Sequence, residues 1–204
     1  MKEKEIRKLD IQFRAEDTED GKMEIKGYAA VFNSPETYDY TEVIDSKAFD
    51  DADMSDVVLR YNHNDSFMVL ARTRNKSLNL SVDEKGLMID ATLQDDITEH
   101  KNIYNAIKSG LIDKQSFAFT VEEDNYDYDT DTRTITKIGK LFDVSVVDQP
   151  FYNATDISVA RDMNNNDFLE RREALRKEVE TQRAEEERIA RLKEAKEKLL
   201  SMLD

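Results

Sequence analysis

Residues 114–121 read Lys-Gln-Ser-Phe-Ala-Phe-Thr-Val (KQSFAFTV), and the fold turns on this stretch. Phe117, Phe119 and Val121 alternate with Ser116, Ala118 and Thr120. That period of two marks a β-strand with one apolar face. The opposite face is small. Small side chains leave room for something to lie against the strand: a neighbouring element in the ordinary case, or a substrate with Ser116 as its nucleophile.

The same alternation extends outward in both directions. Upstream, residues 5–13 (EIRKLDIQF) and 23–32 (MEIKGYAAVF) read as strands joined by the polar segment AEDTEDGK. Asn33-Ser34-Pro35-Glu36 breaks the pattern, and residues 46–53 (SKAFDDAD) suggest a short helix. Strands are expected at 57–62, 67–71, 77–82 and 87–93. The last two are joined by Asp83-Glu84-Lys85-Gly86, a hairpin signal. Residues 97–109 read as a helix with Ile103, Ala106 and Ile107 on one face, and Gly110 is its natural C-terminal stop. Downstream of KQSFAFTV lie the acidic stretch EEDNYDYDTD, strands at 132–138 and 140–147, Pro150, and a short strand at 157–160.

From about Asp167 onward the composition changes. Glycine and proline vanish, and Glu, Arg, Lys, Ala and Leu dominate, the mark of a long helix. Its main apolar residues, Leu175, Val179, Ile189, Leu192, Leu199 and Leu203, hold heptad phase only in parts. The stripe is too thin for burial in a globular core. Such a helix either stands in solvent, self-associates or docks on a partner. Asn164-Asn165-Asn166 provides a hinge and cap region. The chain therefore divides into a mainly β body at 1–160 and a charged helical tail at 161–204. With many short strands, about two helices and no βαβ alternation, a parallel sheet is not expected. A mainly antiparallel barrel with helices packed outside fits the pattern.

Composition narrows the function classes. The 204 residues include no cysteine, which excludes disulfides, a thiol nucleophile and Cys-based zinc sites. No apolar run approaches the roughly 20 residues that span a bilayer. The stretch MKEKEIRKLDIQF lacks the apolar core of a secretory signal. The expectation is a soluble, cytoplasmic protein. Net charge is −15. Residues 161–204 carry 11 basic and 12 acidic side chains, so the first 160 carry 19 and 33, a net of −14. Such a body repels polyanions and disfavours nucleic acid as a ligand. It suits solubility or a basic protein partner. Neither a P-loop nor a dinucleotide fingerprint is present. The acidic stretch at 122–131 lacks the glycine and terminal glutamate of an EF-hand loop, so no metal and no cofactor are expected.

The chain has two histidines. His100 lies among charges at the polar start of a helix and reads as a surface residue. His63 ends VVLRYNH, sharing a strand face with Val57, Leu59 and Tyr61. Taken alone it reads as a structural histidine. A serine nucleophile, however, needs a base, and the base needs an acceptor that fixes its tautomer. If Ser116 is the nucleophile, His63 is the natural base. The acceptor is sought in Leu141-Phe142-Asp143-Val144-Ser145-Val146-Val147, where a carboxylate in an apolar strand asks for a partner. Asp143 is the first choice, and Asp148, beside Gln149-Pro150, the second. Acceptance of backbone or arginine hydrogen bonds is the ordinary alternative for Asp143.

At these residues the chain resembles the prohead (procapsid maturation) serine proteases of tailed phages, of the HK97 type. Lys26-Gly27-Tyr28-Ala29-Ala30-Val31-Phe32-Asn33 resembles the family's opening strand. Asn62-His63-Asn64 resembles its histidine motif, with Asn64 in place of the usual acid. Gly86-Leu87 and the Gly110-Leu111 to Ser116-Phe117-Ala118-Phe119 segment resemble its Gly-Leu and Ser-Phe-Gly-Phe signatures, with Ala118 for glycine. Asp143-Val144-Ser145-Val146-Val147 followed by Pro150 resembles its Glu-Val-Ser block, with Asp143 for glutamate.

The resemblance implies a closed antiparallel β-barrel surrounded by helices, of the herpesvirus assembly protease type; the long C-terminal helix, read from composition, lies beyond the motif region. It implies a serine endopeptidase with Ser116 as nucleophile, His63 as base and Asp143 as third member. It also implies the task of trimming scaffold sequence from the major capsid protein inside the immature procapsid in the host cytoplasm, with self-cleavage, and it makes a homodimer plausible. The competing expectation is a non-enzymatic internal scaffold protein of the procapsid, which would not need Ser116 and His63 together.

Overall fold

The computed structural model describes residues 4–9, 13–17, 21–37, 39–148 and 166–200. They form strands β1 (Lys4–Leu9), β2 (Phe13–Asp17), β3 (Met23–Val31), β4 (Glu36–Thr37), β5 (Thr41–Ile44), β6 (Val58–Tyr61), β7 (Ala71–Arg72), β8 (Leu78–Val82) and β9 (Gly86–Leu93), helix α1 (Thr98–Lys108), strands β10 (Lys114–Asp127) and β11 (Thr132–Val147), and helix α2 (Asn166–Leu200). The chain divides into two compact units, Met1–Asn164 and Asn165–Asp204.

The KQSFAFTV stretch lies inside the larger sheet, between β1 and β11. This sheet has seven strands, ordered β1-β10-β11-β5-β4, with β6 and β7 branching from β11. A second sheet of four antiparallel strands is ordered β2-β3-β9-β8. The expected hairpin is present: Val82 pairs with Leu87 across Asp83–Gly86. Gly86 is needed there for closeness, since a Cβ would sit 2.0 Å from the Ala30 carbonyl oxygen.

The molecule is mainly β, but the closed antiparallel barrel is not found. Among the described residues the ladders form two separate sheets. Pairing is also not wholly antiparallel. β11 runs parallel to β5 at Thr132–Ile135 and parallel to β6 at Asp143–Val146. The absence of βαβ alternation was no obstacle, because parallel partners need only a long crossover connection, and residues 45–131 separate β5 from β11 while residues 62–131 separate β6 from it.

Residues 46–53, expected as a short helix, are instead successive turns. Ala48, Asp50 and Ala52 each donate a backbone N–H to the carbonyl three residues back. The segment is too short to nucleate a stable helix, and the free edge of β11 offers better partners. Ile138 donates to the Ala48 carbonyl, Asp53 donates to Gly139, and Leu141 donates to Asp53. The acidic stretch after KQSFAFTV is likewise mostly strand, and the two strands expected at 132–138 and 140–147 are the single strand β11.

One core lies between the sheets. Ile25, Leu87, Ile89 and Ala91 reach it from the four-stranded sheet. Leu59, Phe117, Phe119, Val144 and Val146 reach it from the seven-stranded sheet, and Phe49 from the turn segment. Phe117 and Phe119 stack with ring centroids 4.7 Å apart. Each buried phenylalanine contributes roughly 1.5–3 kcal/mol, so the alternation read in the sequence is what fixes the register of β10.

Helix α1 buries Ile103, Tyr104 and Ile107 and stops at Gly110, whose φ of 74° is the left-handed conformation glycine supplies. In the second unit, α2 carries exposed apolar residues Leu175, Ile189 and Leu192, and ion pairs such as Glu173–Lys177 at 2.7 Å line its surface. Among the described residues no helix is long and apolar enough to cross a membrane. The strand expected at 157–160 and the stop at Pro150 lie outside the described residues, as do Asn164 and Asn165 of the hinge; Asn166 begins α2.

Candidate active site

The register of β10 on β11 sets Ser116 opposite Ser145 and Ala118 opposite Asp143. The parallel strand β6 runs along the other edge of β11, with Asp143 opposite Val58 and Val146 opposite Tyr61. Just past Tyr61 the chain turns sharply. Asn62 and His63 both have φ of 52°, in the left-handed region. Asparagine tolerates this conformation; histidine adopts it at a cost of about 1–3 kcal/mol. Four hydrogen bonds hold the turn. Asn62 N–H donates to the Val146 carbonyl (3.0 Å) and Asn64 N–H to the Tyr61 carbonyl (3.0 Å). Asp148 N–H donates to Asn62 Oδ1 (3.2 Å) and His63 N–H to Ser145 Oγ (3.2 Å).

The turn lays the imidazole between β10 and β11. His63 Nε2 lies 2.6 Å from Ser116 Oγ, and His63 Nδ1 lies 2.5 Å from Asp143 Oδ1. Asp143 Oδ1 also accepts the Ser145 hydroxyl at 3.0 Å, and Oδ2 is ion-paired with Lys4 Nζ at 3.1 Å. The carboxylate acceptor assigns the Nδ1 proton to the Asp143 side, which leaves the Nε2 lone pair directed at Ser116. Burial pushes the Asp143 carboxyl up, but the hydrogen bond from His63 and the Lys4 ammonium beside it outweigh this and hold the group below the usual range. Asp143 is therefore ionised at neutral pH, as an imidazole-orienting acceptor must be.

Ser116 is fully buried. β1 pairs with β10 through a six-residue register, Lys4↔Thr120 to Leu9↔Gln115. The Arg7 carbonyl oxygen lies 2.8 Å from Ser116 Oγ. The single Ser116 hydroxyl proton thus has two acceptors within reach, the Arg7 carbonyl and His63 Nε2.

A buried cluster of charges anchors β1. Arg7 forms a two-point ion pair with Glu42 of β5 and contacts Glu5 at 2.5 Å. Arg133 of β11 bridges Glu5 at 2.7 Å and Asp124 of β10 at 2.7 Å. These partners satisfy one another, as buried charges must.

The structure brings together Ser116, His63 and Asp143. Asp148 stands elsewhere, accepting the Tyr61 hydroxyl at 2.7 Å. His100 is not the surface residue expected from its charged neighbours. It is 3% exposed, accepts the Gln94 N–H at Nδ1 and donates from Nε2 to the Val69 carbonyl, both at 3.1 Å. The charges around it point outward while the ring turns in to satisfy two backbone groups. Among the described residues no group of three or more potential ligands could hold a metal ion.

Sequence reasoning passed over Lys4, Arg7 and Ser145. The signal for Arg7 was present: in EIRKL, Glu5 and Arg7 share one face of a strand, and Glu42 and Arg133 sit at inward positions of theirs. Gln115, beside Ser116 on β10, is also fully buried, and its side-chain amide has no hydrogen-bond partner among the described residues.

Comparison with known proteins adds an independent line. Residues 9–168 match the model of a family described as caudovirus prohead serine protease. The prohead protease of Escherichia phage T5 is 25% identical over 173 residues, covering 81% of this chain and 77% of that protein. No solved structure matches the chain.

Proposed function

We propose, from the premise that the chain belongs to the caudovirus prohead serine protease family, that it is an endopeptidase whose triad is Ser116, His63 and Asp143. The observation that carries this reading is the position of one imidazole, 2.6 Å from a serine oxygen on one side and 2.5 Å from a buried carboxylate on the other. A lone structural histidine needs neither contact. A likeness to herpesvirus assembly proteases is only what the family resemblance implies.

In the proposed mechanism Ser116 Oγ attacks a peptide carbonyl carbon while His63 Nε2 takes the hydroxyl proton. Asp143 stabilises the imidazolium that forms. The imidazolium then protonates the departing amine, and water hydrolyses the acyl-enzyme by the same route. Because Ser116 is buried against the Arg7 carbonyl, a substrate peptide reaches it once β1 gives way at Arg7. The substrate we assign is the scaffold segment of a capsid protein in the immature prohead. The strongly acidic body suits basic peptide surfaces.

A fluorophosphonate probe tests the reading. Phosphorus bonds the attacking serine oxygen as fluoride leaves, and peptide mass mapping locates the adduct. The expected site is Ser116, with labelling abolished in His63→Ala. Adducts spread over other serines, or labelling untouched by His63→Ala, would overturn the assignment.

A further inference from the structure

Ser145 has no place in the three-residue scheme, yet it touches two of its members. It lies on β11, fully buried, in register with Ser116. Its Oγ accepts the His63 backbone N–H at 3.2 Å, donates to Asp143 Oδ1 at 3.0 Å, and stands 3.2 Å from His63 Nδ1. We infer that Ser145 is a positioning residue for catalysis, a hydroxyl strut that locks the backbone of the base to the carboxylate of the acid. The inference deepens the protease reading and rests on it.

The chemistry follows from the hydroxyl's capacity of one donated proton and two accepting lone pairs. The proton goes to Asp143, because both the Nδ1–H and the main-chain N–H of His63 are themselves donors. One lone pair receives the His63 N–H. That bond matters because His63 sits at φ 52°, a conformation its side chain does not favour and the surroundings must impose. Without it, a part-buried N–H loses its partner and the turn is free to relax, carrying the imidazole away from Ser116. The second donor on Asp143 Oδ1 fixes the carboxylate rotation, so that Oδ1 meets His63 while Oδ2 meets Lys4. Alanine at 145 removes both constraints, and among the described residues no other side chain bridges His63 N and Asp143 Oδ1. Ser145 does not touch the reacting atoms; it acts through His63 and Asp143.

The test compares wild type, Ser145→Ala and Ser145→Thr in the full chain, each checked for folding by circular dichroism. Two readouts are taken. One is the rate of fluorophosphonate labelling at Ser116. The other is the proton NMR signal of the His63 Nδ1–H, which a short bond to a carboxylate moves far downfield. A hydrogen bond to a charged group supports a fall in labelling rate of about tenfold to a hundredfold in Ser145→Ala. The downfield signal should be lost or broadened, and both should return in Ser145→Thr. A folded Ser145→Ala with wild-type labelling and an unchanged downfield signal overturns the inference while leaving the protease reading intact. A wild type with neither labelling nor a downfield signal removes that reading, and the inference with it.

Discussion

The Arg7 carbonyl oxygen lies 2.8 Å from the Ser116 hydroxyl oxygen. An N-terminal strand thus meets the candidate nucleophile through its main chain, while its side chains are clamped by Glu42 and Arg133. The chain offers a clean way to ask whether that strand must move. It has no cysteine, and Lys4 pairs directly with Thr120. Opposed residues of an antiparallel pair, about 4.5–5.5 Å apart at Cα, can accept a disulfide. In Lys4→Cys/Thr120→Cys, labelling of Ser116 should be slow when oxidised and should recover on reduction. Equal rates in the two forms would show that β1 need not yield.

The same strand should be a major source of stability. Arg7→Met leaves Glu5 and Glu42 buried with Arg133 as their remaining cation. Removing one partner of a buried pair costs about 3–5 kcal/mol. For a body of this size that lowers Tm by roughly 6–20 °C. A calorimetric shift below about 2 °C would mean that the cluster is more solvated than its burial indicates.

The third member can be decided by two amides. Asp143→Asn keeps the shape but offers the Nδ1 side a donor or a neutral acceptor, favouring the wrong tautomer. A loss on the order of 10⁴-fold in turnover is expected by analogy with the serine-protease template. Asp148→Asn alters the acceptor of the Tyr61 hydroxyl, not a group in contact with the His63 ring, and should cost far less. Equal losses would reopen the choice between the two aspartates.

Stability should fall in acid through the same carboxylates. Asp143 and Glu5 are each pushed up by burial. His63 and Lys4 hold Asp143 below the usual carboxylate range, and Arg133 and Arg7 do the same for Glu5. A lowered folded pKa means that the contribution is fully present above the unfolded value, about 4, and is lost as pH falls through the folded one. Tm should therefore be level from pH 7 to about 5 and decline below 4. Asp143→Asn should flatten part of that decline. A wild-type Tm that does not change between pH 5 and 3 would contradict the ion-pair assignments.

What the sequence makes legible here is local. Alternation located β3, β8, β9 and the centre of β10, because a buried face leaves its period in the residues themselves. Ser116, His63 and Asp143 were candidates because a serine nucleophile would need a base and an acceptor and the chain holds two histidines, and the family resemblance pointed to the same three; the contacts among them are legible only in the structure. Partner choice is not local. Nothing in LFDVSVV shows that β6 runs parallel beside it, and Gly139 read as a break where β11 continues. Nor does DITEHKN show its histidine turning inward to the Val69 carbonyl. The closed barrel failed for the same reason, since strand number and period do not say which edges meet.

The central claim is that His63 activates Ser116 for peptide hydrolysis. The most direct measurement is the intact mass over time of the capsid protein from the same phage, incubated with wild type, Ser116→Ala and His63→Ala. The account predicts defined truncation of the capsid protein by wild type alone, with both variants inert and folded. Truncation by Ser116→Ala at the wild-type rate would contradict it.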